Sequence, residues 1–154
     1  MIPDRVIEVV QGASPMQVGT RDSKLRPAHS YVTGAVVHDD RQTVTFFVTE
    51  RRAKRILEDV ADNGRVALTA AQASHEAYQL KGSYLSSRGA TDEDYAIQEA
   101  HRAALVPALA QFWPEEVVKR LILGAAYRPS VAITFRVEEI FLQTPGPRAG
   151  EKLA

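Results

Sequence analysis

The stretch from Thr43 to Gly82 constrains this chain more than any other, because its pattern reads as a strand, a short helix and two further strands. Thr43, Val44, Thr45, Phe46, Phe47, Val48 and Thr49 are β-branched or aromatic, side chains that suit a pleated and partly buried surface. Between Arg51 and Asp62, the residues Ala53, Ile56, Leu57, Val60 and Ala61 recur at helical spacing and give a short helix one stripe to bury. Asn63 and Gly64 stop it. Arg65 to Ala70 reads as a short strand. From Glu76 to Leu85 the chain alternates, with Tyr78, Leu80, Gly82 and Tyr84 on one face and Gln79, Lys81 and Ser83 on the other.

The order of charge on that helix runs against its dipole. Arg51, Arg52 and Lys54 stand in the first turn, while Glu58, Asp59 and Asp62 stand in the last turns. A helix N-terminus is its positive end, so each exposed cation there costs roughly 0.3–1 kcal/mol. Two readings explain the order. In one, free backbone N–H groups and three cations converge to hold a phosphate or another anion. In the other, the helix is simply solvated, and Lys54 with Glu58 and Arg55 with Asp59 form weak surface pairs four residues apart.

The remaining elements are predicted from the same signals. Pro3 opens a short helix with Val6, Ile7 and Val10 inward and Gly12 as its stop. Met16 to Arg21 is a strand leading into a polar turn at Asp22 to Pro27. His29 to Val37 is β-like and pairs as a hairpin with the strand at Thr43. Thr91 caps a helix that runs toward Phe112 with a kink near Pro107. A further helix after Pro114 turns Val117, Val118, Leu121 and Ile122 inward. Ser130 to Val137 is a last strand that continues past a bend at Glu138 and Glu139, and the tail from Gln143 to Gly150 has no regular structure. About six strands with two helical excursions predict a mainly β fold with flanking helices, an antiparallel barrel or sandwich.

Composition narrows the function. The 154 residues suit one domain spanning 1–154. Lys plus Arg and Asp plus Glu are 19 each, a net charge of zero that argues against a broad basic field for nucleic acid. With no cysteine, disulfides and thiolate chemistry are excluded. The first residues are charged where a signal peptide is apolar, and no window is apolar enough to span a bilayer, so a soluble cytoplasmic protein without membrane contact is expected. His29, His38, His75 and His101 are scattered, and no metal site is expected. No phosphate loop or nucleophile elbow appears, and no catalytic residue is identified.

Taken in order, these motifs resemble a known family. Phe46 to Thr49 followed by Arg51, Arg52 and Lys54, then Asn63 to Ala67, then Tyr78 to Gly82, is similar to the flavin-binding core of the pyridoxamine 5′-phosphate oxidase-like, FMN-binding split-barrel proteins. Val18 to Asp22, Arg26, Pro27 and the run Phe141 to Gly150 resemble one branch of that family, so the likeness covers nearly the whole chain. The resemblance implies a six-stranded antiparallel split β-barrel, a homodimer, and FMN at the subunit interface. It implies that Thr49 offers backbone groups to the flavin, that Arg51, Arg52 and Lys54 hold the phosphate, and that Gln79 and Lys81 contact the cofactor. Without it, Gln79 and Lys81 read as a solvated strand face.

The chain also departs from the family pattern. Tyr31 stands where an arginine is common, and Ala53 where a serine is usual; either change weakens phosphate capture. The long basic C-terminal region of the true oxidases is replaced by Gly150 to Ala154, so that particular oxidase activity is not expected. Three functions follow for testing: an FMN-dependent oxidoreductase of unknown substrate, a non-catalytic binder of flavin, deazaflavin or haem, and an interaction protein without cofactor.

Overall fold

The computed structural model describes all 154 residues. Helix α1 (Asp4–Gln11) leads into strands β1 (Met16–Arg21), β2 (Pro27–Val32), β3 (Ala35–Val37) and β4 (Thr43–Thr49). Helix α2 (Glu50–Asn63) follows, then β5 (Arg65–Ala71), β6 (Ala77–Gly89), helices α3 (Asp92–Leu109) and α4 (Glu115–Ile122), and β7 (Ser130–Leu142). All seven strands form one antiparallel sheet in the order β2-β1-β5-β6-β7-β4-β3. No helix is long and apolar enough to cross a membrane.

The strand count corrects the expected six. The β-like run from His29 to Val37 breaks at Thr33 and Gly34, so its first half pairs with β1 and its second half with β4. At the break, Thr33 N–H donates to the Phe47 carbonyl at 2.9 Å, and Phe47 N–H to the Gly34 carbonyl at 3.0 Å. No ladder joins β2 to β3, yet the two edges of the sheet are consecutive in the chain. The sheet therefore curls so that its two edges are brought together through Thr33 and Gly34 without closing, an arrangement consistent with a split barrel.

Alternation decides which side of the curl is filled. Met16, Val18, Val44, Phe46, Val48, Leu68, Leu80, Ile133, Phe135 and Ile140 point inward and belong to one contiguous core, with Phe46 and Phe135 meeting edge to face at 5.8 Å. Helix α1 adds Val6, Val9 and Val10, and α2 adds Ala53, Ile56 and Val60. Gly64 ends α2 in the left-handed conformation at φ 69°. The expected bend in β7 is a bulge: Lys81 pairs with Glu139 and Gly82 with Val137, which leaves Glu138 unpaired. Gly82 is required there, because a Cβ on it would lie 1.8 Å from the Arg136 carbonyl oxygen.

One further expectation is corrected. On α4 only Val118 is buried, whereas Val117 and Leu121 are 47% and 66% exposed beside exposed Phe112 and Trp113. The apolar stripe exists, but no element of the chain covers it. The tail from Gln143 to Gly150 holds turns but no helix or strand, as expected; beyond it Lys152 bridges Phe141, and Leu153 N–H donates to the Ile140 carbonyl at 2.8 Å. Helix α3 ends at Leu109, with Pro107 inside its last turn and a Thr91–Asp94 capping box at its start.

Candidate functional site

Of the residues singled out from the sequence, Gln79 and Lys81 lie on the outer face of the sheet, and those at the start of α2 stand apart from them. Directly opposed residues of neighbouring strands face the same side. The register Tyr31–Gln17–Thr69–Gln79–Phe141 therefore makes one row across β2, β1, β5, β6 and β7. The next row is His29–Gly19–Ala67–Lys81–Glu139. Gln79 and Lys81 are half-buried on this face. Three strand spacings, about 14 Å, separate Tyr31 from Gln79.

The head of α2 stands at the β2 edge of that face. Thr49 is the last residue of β4 and the N-cap of α2, with extended backbone and no side-chain capping bond. The helix begins one residue earlier than the spacing predicts, so the Glu50 carboxylate shares the first turn and offsets part of the conflict between charge and dipole. The guanidinium of Arg52 lies 5.6 Å from the centre of the exposed Tyr31 ring. Arg51, Arg52 and Lys54 are exposed, and none has a carboxylate within ion-pair distance.

Arg55, one residue further on, is used differently. It pairs with Asp22 at 2.9 Å and with Asp59 at 3.1 Å. Asp59 is buried and also accepts a hydrogen bond from the Thr20 hydroxyl at 2.7 Å. Asp22 takes two backbone N–H bonds, from Lys24 and Arg26, at 2.9 Å each. The hydrogen bond from the Arg26 backbone, with the Arg26 and Arg55 side chains, holds its carboxyl well below the usual range. Of the two surface pairs expected on this helix, Arg55–Asp59 forms as a structural tie to β1, and Lys54 forms none. Ala53 belongs to the apolar core, so a side chain at that position faces away from the cations around it.

The predicted residues do not share one enclosed pocket. Of the six, only Lys81 lines the shallow cleft of about 300 Å³ on the outer face, together with Gly19, Thr20, Arg21, Arg65, Val66 and Ala67. Lys81 Nζ lies 4.5 Å from the centre of the Phe141 ring. Arg21 and Arg65 carried no functional reading in the sequence, and the signal that marks them is their outward place in strand alternation. A second cavity of about 470 Å³ lies between α3 and β3. It includes His101, whose pKa is lowered by burial although a hydrogen bond with the Gly12 backbone opposes the shift. No three His, Cys, Asp or Glu side chains converge in a metal-binding cluster.

No protein-family model and no curated protein matches the chain. Solved structures do. HupZ of Group A Streptococcus is 22% identical, with 97% of this chain and 100% of that one covered at a TM-score of 0.55. A candidate pyridoxamine 5′-phosphate oxidase of Lactobacillus delbrueckii is 16% identical, with 91% and 93% covered at 0.55. An FMN-binding protein of Syntrophomonas wolfei is 8% identical, with 88% and 82% covered at 0.54. The chain thus has the fold shared by pyridoxamine 5′-phosphate oxidase-like split-barrel proteins.

Proposed function

We propose that this chain is an FMN-binding flavoprotein, an oxidoreductase of the split-barrel type that works as a homodimer with its cofactor at the subunit interface. The observation that carries the reading is the set of three cations without carboxylate partners, Arg51, Arg52 and Lys54, at the head of α2 beside the outer sheet face. They suit a phosphate, since charge-assisted hydrogen bonds to phosphate are short and strong. Gln79 offers an amide that both donates and accepts, matched to the polar edge of a flavin ring. Lys81 adds positive charge on the same face. Tyr31 stands beneath Arg52 and positions its guanidinium.

When bound, a flavin supplies the electron transfer, and the chain's task is to hold and orient it and to exclude water. The cytoplasmic location and the absence of nucleic-acid partners belong to the same reading. The deciding experiment is an absorption spectrum of the purified protein with its released chromophore identified, followed by titration with FMN. Saturable binding that raises the melting temperature supports the reading; a colourless protein that FMN does not stabilise refutes it. Reduction of bound flavin by a nicotinamide cofactor distinguishes an enzyme from a carrier, and the spectrum itself separates flavin from deazaflavin and haem.

A further inference from the structure

The cleft at Gly19 has cations on three sides and a floor with almost no side chain. We propose that it is the anion-binding subsite for the substrate, taking a small organic molecule by its carboxylate or phosphate. As a substrate subsite it rests on the flavoprotein reading above, whereas as an anion site it stands alone.

Each cation is braced yet keeps donors free. Arg65 uses Nη1 for the Ser83 hydroxyl at 3.3 Å and for Glu138 at 2.8 Å, so Nε and Nη2 keep no protein partner. The Ser83 hydroxyl also donates to Glu138 at 2.5 Å. Ser83 and then Arg65 hold the Glu138 carboxyl below its ordinary range, so it stays ionised and fixes Arg65 in place. Arg21 reaches only the Asp22 carbonyl, at 3.3 Å through Nη1. Lys81 rests over Phe141 with no carboxylate within ion-pair distance. Other nearby acids are engaged elsewhere: Asp22 with Arg26 and Arg55, and Glu139 with Lys152. Three cations against the single carboxylate of Glu138 leave the cleft positive, and planar guanidinium groups with two free edges suit a forked oxyanion.

The floor gives the second argument. Gly19 has ordinary strand backbone, and a Cβ built on it would meet nothing closer than the Ala67 carbonyl oxygen at 4.0 Å. Neither conformation nor crowding requires glycine there, in contrast to Gly82. Glycine inside a strand is disfavoured relative to alanine, and where the strand is regular and no other backbone crowds it, as here, it suits the close approach of a ligand. Opposite it stands Ala67, the next smallest side chain. The pair keeps open a depression of about 300 Å³, the lower end of small-molecule sites.

The test is an NMR titration of isotope-labelled protein with inorganic phosphate and, separately, with acetate, at ionic strength held constant with chloride. Saturable shifts at the Gly19 and Ala67 amides are expected. A response to phosphate alone assigns phosphate-bearing substrates, to acetate alone carboxylates, and to both a shared oxyanion site. The double variant Arg21→Gln, Arg65→Gln should weaken binding at least about tenfold. Gly19→Val should abolish it and Gly19→Ala reduce it, both without lowering the melting temperature. Unsaturable shifts in the natural protein, or equal affinity in Gly19→Val, overturn the proposal. FMN titration of the same proteins separates the two claims. Retained FMN affinity in the double variant supports a substrate subsite. A natural protein that binds the anion here but no FMN removes the substrate role and leaves the anion site.

Discussion

The two parts of α2 carry the same kind of charge and put it to opposite uses. Arg55 is tied to Asp22 and to buried Asp59, which the Thr20 hydroxyl also engages. Arg51, Arg52 and Lys54, one to four residues earlier, have no acidic partner. The difference teaches that a cluster of basic residues is not one feature: its members divide by what faces them. Arg55 stabilises the docking of the helix on β1, and the other three leave the helix head electropositive. The inner face of the same helix, Ala53, Ile56 and Val60, anchors both parts to the core.

Substitutions can break this division. The largest effect is expected from Ile56→Ala, since deleting a fully buried aliphatic side chain typically costs about 2–5 kcal/mol. Chemical denaturation measures it, and a loss under about 1 kcal/mol would mean that α2 is not anchored as described. Asp59→Ala comes next, at about 1–3 kcal/mol, because it leaves the Thr20 hydroxyl without its partner. Its FMN affinity, measured on folded protein, should be unchanged; a large affinity loss would erase the distinction between the two parts. Arg52→Glu and Lys54→Ala should do the reverse, weakening FMN binding roughly tenfold or more while shifting stability by under about 0.5 kcal/mol. Equal FMN affinity in both variants would remove the phosphate assignment.

The smallest expected effect is a pH dependence. The His101 pKa lies below 6.5 in the folded state, so its contribution to stability is complete above 6.5 and falls as pH drops from there through the folded value. The carboxyls of Asp22, Glu76 and Glu138 are likewise lowered, so their contributions are present above the ordinary carboxylate range and disappear below about pH 4. Melting curves should therefore show two steps of acid loss, and His101→Gln should flatten only the upper one.

Much of this was legible in the sequence because it depends on local period. The strands β4, β5 and β6, the burial stripe of α2 and the outward placing of Gln79 and Lys81 all follow from alternation or helical spacing. What periodicity cannot supply is a partner. The stripe on α4 is as regular as that on α2, yet Val117 and Leu121 find nothing to pack against. The break at Thr33 and Gly34 arises from competition between β1 and β4 for one run of chain. Arg21 and Arg65 became a site only once β1 and β5 were neighbours, and Asp59 became a buried anchor only once Thr20 lay beneath it.

The break between β2 and β3 has a consequence for solubility. A sheet with two free margins offers unpaired backbone groups to other molecules, and long flat margins invite polymerisation. Here both margins come from one interrupted passage, of six and three residues, drawn together where it bends. A template for fibril growth is thereby shortened at its source, and Pro27, which has no N–H to offer, opens the longer of the two rims.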